Sequence, residues 1–243
     1  MRAGRGLTAA LYFVAAVSLS YNGRNIWPGW TLSFSYRVLR TLLVAFFHAM
    51  TRYRVRGLEN VPRTGALLVV ANHLGLVDPP LLGASLKRPV IFIAKQELFR
   101  RPPVGYLLRK LGAFPISRGR LDLEAMRRAY RVLAEGNALV VFPEGKRSRS
   151  GGLGVAYRGA AQIAVRAGVP VLPVAISGTE ALERPFGWLR RPVVTVNIGC
   201  LFYLPQANGR VLRQELEEST GVIMSAIAGL LPPAYRGEYG RKN

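Results

Sequence analysis

One stretch decides the fold class: Ala66-Leu67-Leu68-Val69-Val70-Ala71-Asn72-His73-Leu74-Gly75-Leu76-Val77-Asp78-Pro79-Pro80. Residues 66–71 form a continuous apolar run, which is typical of a strand whose two faces are both covered by helices. An Asp followed by two prolines favours the start of a helix, with Asp78 as the N-cap and a proline at the first helical position. A buried strand, a turn and a helix in this order indicate an α/β domain.

Short apolar runs alternate with helical stretches along the rest of the chain. We predict further strands at residues 89–94, 113–116, 138–142, 169–176 and 193–198. We predict helices near residues 79–86, 104–111, 123–134 and 159–167, and a closing helix at about 211–231. The fold class is therefore α/β, with a mostly parallel mixed sheet covered by helices over residues 53–243.

The composition narrows the range of functions. The chain of 243 residues carries 34 Lys and Arg against 13 Asp and Glu, a net charge of +21, and half of its residues are hydrophobic. The apolar content excludes an intrinsically disordered chain, and the single Cys200 excludes a disulfide scaffold. No uncharged apolar run approaches the length of about 18 residues expected of a transmembrane helix, which argues against a polytopic membrane protein. The charge excess indicates a polyanion: nucleic acid, an anionic membrane or a phosphorylated substrate.

Residues 1–52 combine positive charge with the longest apolar stretches. Eight arginines and no acidic residue precede Glu59, and basic, apolar segments are typical of membrane association rather than DNA binding. Residues 7–19 follow a basic leader in the outline of a signal peptide. Residues 32–50 follow Trp27 and Trp30 and predict a helix lying in one leaflet, with an ordinary amphipathic helix over the core as the alternative. We predict a membrane-associated helical element at residues 1–52.

His73 and Asp78 stand at the end of the first core strand, five residues apart. Open α/β sheets place their chemistry at the carboxyl ends of strands. A carboxylate that accepts from one imidazole nitrogen leaves the other nitrogen free to take a proton from a substrate hydroxyl, and a turn through Gly75 would bring the two side chains together. The alternative is a structural histidine beside a helix-capping aspartate, and the spacing alone does not decide between them.

A second site-like stretch follows the strand at residues 138–142. Glycines and cations after a strand present backbone N–H groups and guanidinium forks to a phosphate, although a mobile, solvated basic loop is the alternative. Cations also stand at the ends of two other predicted strands. The resulting candidates are Lys95, Arg118, Glu144, Gly145, Lys146 and Arg147.

Four blocks of sequence, taken together, resemble the glycerolipid acyltransferase family, and most closely its bacterial lysophosphatidate acyltransferases. They lie in the family's order over about half of the chain: Asn72-His73 with Asp78, residues 112–118, Phe142-Pro143-Glu144-Gly145-Lys146-Arg147-Ser148, and residues 169–174. No single block is specific, but the ordered set is.

The resemblance implies a role for each matched residue. His73 becomes the general base and Asp78 its orienting partner, while Arg118, Arg147 and the Glu144-Gly145 pair hold the glycerol phosphate. Lys95 becomes a further phosphate ligand, and residues 170–174 form a wall of the site. Lys146 stands where the family commonly has threonine, and Pro115 is a second departure, so the acceptor headgroup stays open.

The resemblance also implies a reaction and its partners. The expected reaction transfers a fatty acyl group from acyl-CoA or an acyl carrier protein to the 2-hydroxyl of a lysophosphatidate, with no cofactor and no metal, at the cytoplasmic face of the inner membrane. The expected partners are anionic lipids, the lysophospholipid and the acyl donor, with no nucleic acid.

Three alternatives remain from the sequence. The acceptor could be another lysophospholipid or an amine-linked lipid, or the chain could be a basic membrane- or nucleic-acid-binding protein without catalysis. A covalent scheme would use Cys200 as nucleophile.

For the tetrahedral intermediate, backbone N–H groups near Gly75 or Gly145 are the candidate oxyanion donors.

Overall fold

Seven strands form one sheet in the computed structural model, which describes residues 34–110, 113–116, 122–148, 150–206 and 211–240. The strands are β1 (Arg52–Arg56), β2 (Leu67–Ala71), β3 (Val90–Lys95), β4 (Phe114–Ile116), β5 (Ala138–Val141), β6 (Val171–Ser177) and β7 (Val193–Ile198). The helices are α1 (Phe34–Met50), α2 (Asp78–Ser85), α3 (Gln96–Phe99), α4 (Pro102–Lys110), α5 (Leu123–Ala134), α6 (Gly159–Ala167) and α7 (Arg213–Leu230). Short 3-10 turns include Thr179–Glu183 and Gly187–Arg190.

The strand order is β1-β7-β6-β2-β5-β3-β4. Every neighbouring pair is parallel except β6 and β7, which are antiparallel. The predicted mostly parallel mixed sheet is therefore confirmed. The carboxyl ends of β6, β2, β5, β3 and β4 all lie at one edge, which we call the catalytic edge.

The core lies on both faces of the sheet, as the continuous apolar runs predict. Leu68 and Val70 of β2 point into a cluster with α5, α6 and α7, while Leu67 and Val69 point into a cluster on the side of α1 and α2. All five residues of β2 are fully buried. A strand covered on both faces needs apolar side chains at every position, which is why β2 shows no alternation.

One described strand and one described α-helix were not predicted. β1 reads Arg-Tyr-Arg-Val-Arg, with arginines on its exposed face, and among the described strands it pairs only with β7, at one border of the sheet. The single turn α3 directly follows β3. At the other border, Pro115 lies within β4, where an edge strand tolerates a residue without a backbone N–H.

Helix α1 packs on the domain. Phe47 is 1% exposed and belongs to the cluster that contains Leu67 and Val69, and α1 lies against α2. These contacts favour the alternative of a helix that covers the core over one lying freely in a leaflet, and they join α1 to the domain predicted to begin at residue 53. In the part of the chain that the structure describes, no helix is long and apolar enough to cross a membrane. The predicted segment at residues 7–19 lies outside the described residues.

Candidate active site

The catalytic edge gathers most of the predicted site residues. His73 follows β2, Lys95 ends β3, and residues 142–148 follow β5, the strand between them. Parallel strands lie about 4.8 Å apart, so β3 is about 10 Å from β2. β4 lies still farther from β2, and Arg118, which follows β4 in the sequence, lies outside the described residues. The α/β topology thus brings together stretches that are far apart in the sequence.

His73 and Asp78 form a hydrogen-bonded pair. Nδ1 of His73 lies 2.7 Å from Oδ2 of Asp78, whose side chain is completely buried, while the histidine side chain is 14% exposed. Among the described residues, none hydrogen-bonds to Nε2 of His73. An imidazole held through Nδ1 by a carboxylate keeps Nε2 available as a proton acceptor, which is the arrangement that a general base needs.

Asp78 does not cap its own helix, contrary to the sequence prediction. It is the first residue of α2, the N-cap position is Val77, and no side-chain hydrogen bond caps the helix. The carboxylate turns back toward the preceding turn, where Oδ2 accepts from the N–H groups of Leu74 and Gly75 at 2.7 Å each. The hydroxyl of the buried Thr179 donates to Oδ1 at 2.6 Å. The carboxylate is therefore fixed by four donors when His73 is included.

The turn that carries His73 is held by carboxylates along its whole length. The N–H of His73 donates to Oε1 of Glu144 at 3.0 Å, and the N–H of Leu76 donates to Oε1 of Glu183 at 2.8 Å. With Leu74 and Gly75 bound to Asp78, four consecutive N–H groups each have a carboxylate acceptor. A turn without regular structure has no other systematic acceptors for these groups, so the acidic side chains take that role.

The candidate oxyanion donors near the two glycines are not free. The N–H of Gly75 is bound to Asp78, and the N–H of Gly145 donates to the carbonyl of Phe142 at 2.9 Å. The N–H groups of Lys146 and Arg147, by contrast, have no acceptor among the described residues.

Phe142 and Asn72 flank the histidine. The phenyl ring of Phe142 stacks on the imidazole with ring centroids 4.3 Å apart and an angle of 23° between the planes. The buried amide of Asn72 bonds both the N–H and the carbonyl of Ile176 in β6, at 2.7 and 2.8 Å. Phe142 therefore sets the tilt of the imidazole ring. Asn72 fixes the end of β2, from which the His73 turn starts.

Glu144 is a bracing residue rather than a phosphate ligand. The residue is 2% exposed, and its two carboxylate oxygens accept from the N–H groups of His73 and Gly154, the latter at 2.9 Å. Burial raises the pKa of this carboxyl above its usual value, an effect that the two backbone hydrogen bonds oppose. Glu144 thus ties the His73 turn to the loop after β5.

Gly145 is required by the shape of that loop. It has φ +62°, in the left-handed region, and a Cβ at this position would lie 2.9 Å from the ring of Tyr157. Only glycine combines this conformation with so close an approach. Its contribution is therefore to turn the backbone that presents Lys146 and Arg147.

The predicted cations differ in their surroundings. Arg147 is exposed and pairs with Glu183, with Nη1 2.6 Å from Oε1. Lys146 is exposed and forms no ion pair or hydrogen bond with the described residues. Lys95 pairs with Glu97 at 3.0 Å in an exposed position. Such exposed pairs contribute little to stability, so an incoming phosphate can compete for either cation.

Cys200 is excluded from this site by the topology. Because β7 runs antiparallel to β6, the chain beyond Ile198 continues toward the amino end of β6, where Phe202 bridges to Val171. Cys200 lies exposed on this stretch, between Ile198 and Phe202, and therefore away from the catalytic edge. The structure therefore argues against Cys200 as the nucleophile.

Sequence reasoning missed Thr179 and Glu183. Both lie in the connection after β6, more than 100 residues from the His73 turn along the chain. The sequence signal that could have found them is their position, because both are polar residues that closely follow a predicted strand whose carboxyl end adjoins the site.

Comparison with known proteins identifies the family. The sequence model of the Acyltransferase family matches residues 52–177. The chain belongs to the acyltransferase family. The recognition of the family from the four sequence blocks is thereby confirmed.

Named relatives share the domain. The chloroplastic 1-acyl-sn-glycerol-3-phosphate acyltransferase of Brassica napus is 35% identical over 51% of this chain and 37% of its own length. A 1-acyl-sn-glycerol-3-phosphate acyltransferase of Pseudomonas aeruginosa is 28% identical over 74% of this chain and 71% of the relative. The chain spans about half or less of the first curated relatives that it matches.

A solved structure has the same fold as this acyltransferase family member. The 1-acyl-sn-glycerophosphate (LPA) acyltransferase of Thermotoga maritima superposes with a TM-score of 0.62 at 27% identity, covering 92% of this chain and 94% of the other.

Proposed function

We propose that this chain transfers a fatty acyl group from an acyl thioester to the sn-2 hydroxyl of 1-acylglycerol-3-phosphate, forming phosphatidic acid. The observation that carries the proposal is the 2.7 Å contact between Nδ1 of His73 and a fully buried Asp78, with Nε2 open at the catalytic edge. Relatives and the structural neighbour are acyltransferases named for this acceptor, which supports the substrate class.

In the proposed reaction, the acyl group passes directly from the thioester to the acceptor hydroxyl. Nε2 of His73 takes the proton of the acceptor hydroxyl as that oxygen attacks the thioester carbonyl. The tetrahedral intermediate then breaks its carbon–sulfur bond, and the proton on Nε2 passes to the departing thiolate. The new ester and a free thiol result, and no acyl-enzyme is formed. The Asp78 carboxylate stabilises the positive charge that His73 carries between the two proton transfers.

The loop after β5 is placed to hold the acceptor phosphate. It follows the strand next to β2 and offers the side chains of Lys146 and Arg147 together with their N–H groups, which have no acceptor among the residues that the structure describes. A short glycerol backbone separates the phosphate from the reacting hydroxyl, so a nearby loop suits the acceptor better than a distant one. Lys95, two strands away, and Arg118 are proposed as further phosphate ligands. These cations contribute mainly by positioning the acceptor.

The net positive charge of the chain supports a proposal for the acyl donor and for the cellular location. Acyl-CoA and acyl carrier protein are both anionic, and a chain with a net charge of +21 attracts either one at low ionic strength. The acceptor resides in a membrane, so we propose that the chain works at the cytoplasmic face of the inner membrane, held there by anionic lipids.

The central test uses His73→Ala. We expect acyl transfer to lysophosphatidate to fall by at least about a hundredfold, in the range that general acid–base catalysis contributes. His48→Ala, which changes the other histidine of the chain, is the matched control and should retain activity. Wild-type turnover in His73→Ala would overturn the mechanism.

A panel of acceptors tests the substrate. Lysophosphatidate should be preferred over lysophospholipids with zwitterionic headgroups, because the loop presents cations to a phosphate monoester. Equal turnover of all acceptors would leave the mechanism but reject the proposed substrate. In Lys146→Thr, a retained preference would show that Arg147 and the backbone suffice.

A further inference from the structure

The connection between β6 and β7 exposes large apolar side chains. Residues 184–191 read Arg-Pro-Phe-Gly-Trp-Leu-Arg-Arg, and we call them the Phe186 loop. Phe186 is 72% exposed, Leu189 is 60% exposed and Trp188 is 43% exposed. Three neighbouring side chains of this size are costly to leave in water, which marks the loop as a contact surface.

The charge of the Phe186 loop is uniformly positive. Arg184, Arg190 and Arg191 are all exposed, and no acidic residue lies between positions 184 and 191. Aromatic rings at the headgroup level flanked by arginines are typical of segments that lie in the interface of an anionic bilayer.

The loop is fixed rather than loosely extended. The N–H groups of Gly187, Leu189 and Arg191 donate to carbonyls three residues back, at 3.0 Å each. Gly187 lies so close to the carbonyl of Ala181 that a Cβ would approach it to 1.9 Å. The guanidinium of Arg191 also donates to the carbonyl of His48 at the end of α1, at 2.8 Å. The exposed rings are therefore presented by a loop anchored to the domain.

The loop adjoins the active site. It joins β6 to β7 at the catalytic edge, immediately after Thr179 and Glu183, which bind Asp78 and the Leu76 N–H. Leu76, in the turn that carries His73, is itself 51% exposed. A membrane or protein surface that contacts the Phe186 loop therefore lies beside the turn that carries His73.

We propose that the Phe186 loop is a membrane-docking surface that inserts Phe186, Trp188 and Leu189 into the headgroup region of an anionic bilayer and so sets His73 at the lipid surface. The surface joins the C-terminal end of α1 through Arg191, which makes α1 its neighbour. An acidic protein such as an acyl carrier would satisfy the arginines but not the three exposed apolar side chains, so the bilayer fits better. That the bilayer delivers the acceptor to His73 rests on the proposed function, whereas the docking itself does not.

Fluorescence of Trp188 tests the docking directly. In the full chain with Trp27→Phe and Trp30→Phe, Trp188 is the remaining tryptophan. Vesicles of equal parts phosphatidylglycerol and phosphatidylcholine brominated on the acyl chains should quench its emission, and vesicles without bromine should not. Unquenched Trp188 in sedimented, vesicle-bound protein would overturn the proposal, whether or not the protein transfers acyl groups.

Charge removal gives a second measurement. Arg184→Gln with Arg190→Gln should weaken the quenching titration on anionic vesicles by about 25-fold, from about fivefold for each arginine near such a surface. Arg127→Gln with Arg131→Gln is the matched control, because both arginines are exposed on α5, which packs on the other face of the sheet. An equal loss in this control would contradict a specific surface.

Activity separates docking from catalysis. Phe186→Ser with Trp188→Ser and Leu189→Ser should raise the KM for a bilayer-embedded acceptor about tenfold or more, while kcat for a short-chain, water-soluble acceptor stays unchanged. If the triple variant instead loses affinity only for acyl carrier protein, and Trp188 in the parent is not quenched, the loop binds protein and the proposal is wrong.

Discussion

Replacing Asp78 by asparagine separates the charge of the carboxylate from its geometry. The amide oxygen of asparagine can take the place of Oδ2 and still accept from Leu74, Gly75 and His73. The amide nitrogen then faces the hydroxyl of Thr179, which can reverse and accept. The hydrogen-bonding pattern survives in Asp78→Asn, whereas the negative charge beside the imidazole is lost.

The expected loss of stability follows from the contacts. Hydrogen bonds to a charged acceptor contribute about 1.5–3 kcal/mol and neutral ones about 1 kcal/mol, so weakening the bonds from the buried Leu74 and Gly75 costs about 2 kcal/mol. For a chain of this size, that loss lowers Tm by about 4–8 °C. Asp78→Ala would leave both N–H groups without an acceptor, at about 1–3 kcal/mol each, and is the less useful variant.

The expected loss of activity is far larger. Without the carboxylate, the imidazole loses both its fixed tautomer and its counter-charge, which in comparable pairs lowers kcat by about 10 000-fold. Release of the thiol in the presence of a soluble lysophosphatidate measures kcat, and a thermal melt on the same samples measures stability. Asp122→Asn is the matched control, since Asp122 caps α5 by accepting from Ala125, a role that asparagine fills equally well.

One result would refute this reasoning. If Asp78→Asn melts as expected but keeps kcat within about tenfold of the wild type, the charge is not needed, and the pair is a structural histidine with its acceptor.

The other predictions concern the groups that brace the site. Thr179→Val should lower stability by about 1–3 kcal/mol, because Oδ1 of Asp78 loses its donor, with a smaller effect on kcat than Asp78→Asn; equal effects would argue against the carboxylate as the main partner. Gly145→Ala should raise the acceptor KM, because the positive φ and the Tyr157 ring exclude a Cβ and the loop must shift, and an unchanged KM would remove that loop from phosphate binding. Glu183→Gln should lower the acceptor KM by freeing Arg147, and a raised KM would show instead that Glu183 matters through the Leu76 N–H. Burial raises the pKa of Glu144 in the folded protein, so the folded state binds this proton more tightly than the unfolded chain does; stability should fall as pH rises from the usual carboxyl range through the raised pKa, and denaturant titrations of Glu144→Gln should lack that slope.

The sequence predicted the parts of the fold that are determined locally. The apolar run of β2 is buried on both faces by α5–α7 and by α1–α2, and a strand in that environment can be recognised without knowing its neighbours. β1 was missed because its arginines face outward at the border of the sheet, where burial imposes no continuous apolar pattern. Its strand conformation depends on pairing with β7, about 140 residues away in the sequence.

The site residues divide in the same way, into those that a local sequence pattern predicts and those that only the tertiary structure places. The contact of His73 with Asp78 lies within one turn, and spacing was enough to propose it. The function of Glu144 was not predictable, because a Glu in a basic loop looks like part of a phosphate site until its acceptor role toward the His73 N–H is seen. Thr179 and Glu183 could be placed only by the pairing of β6 with β2, which no local pattern encodes.

The acidic side chains explain how so basic a chain keeps an ordered site. Asp78 and Glu144 are buried, and their oxygens accept from backbone N–H groups of the His73 turn rather than facing solvent. Their charges are thereby held beside the imidazole, while Lys146 and Arg147 remain exposed to an anionic substrate. Glu183 lies at the boundary, since one of its oxygens accepts both from the Leu76 N–H and from Arg147. Phosphate binding to Arg147 would therefore release a carboxylate that also holds the turn next to the Phe186 loop, so acceptor binding and the position of that turn should be coupled.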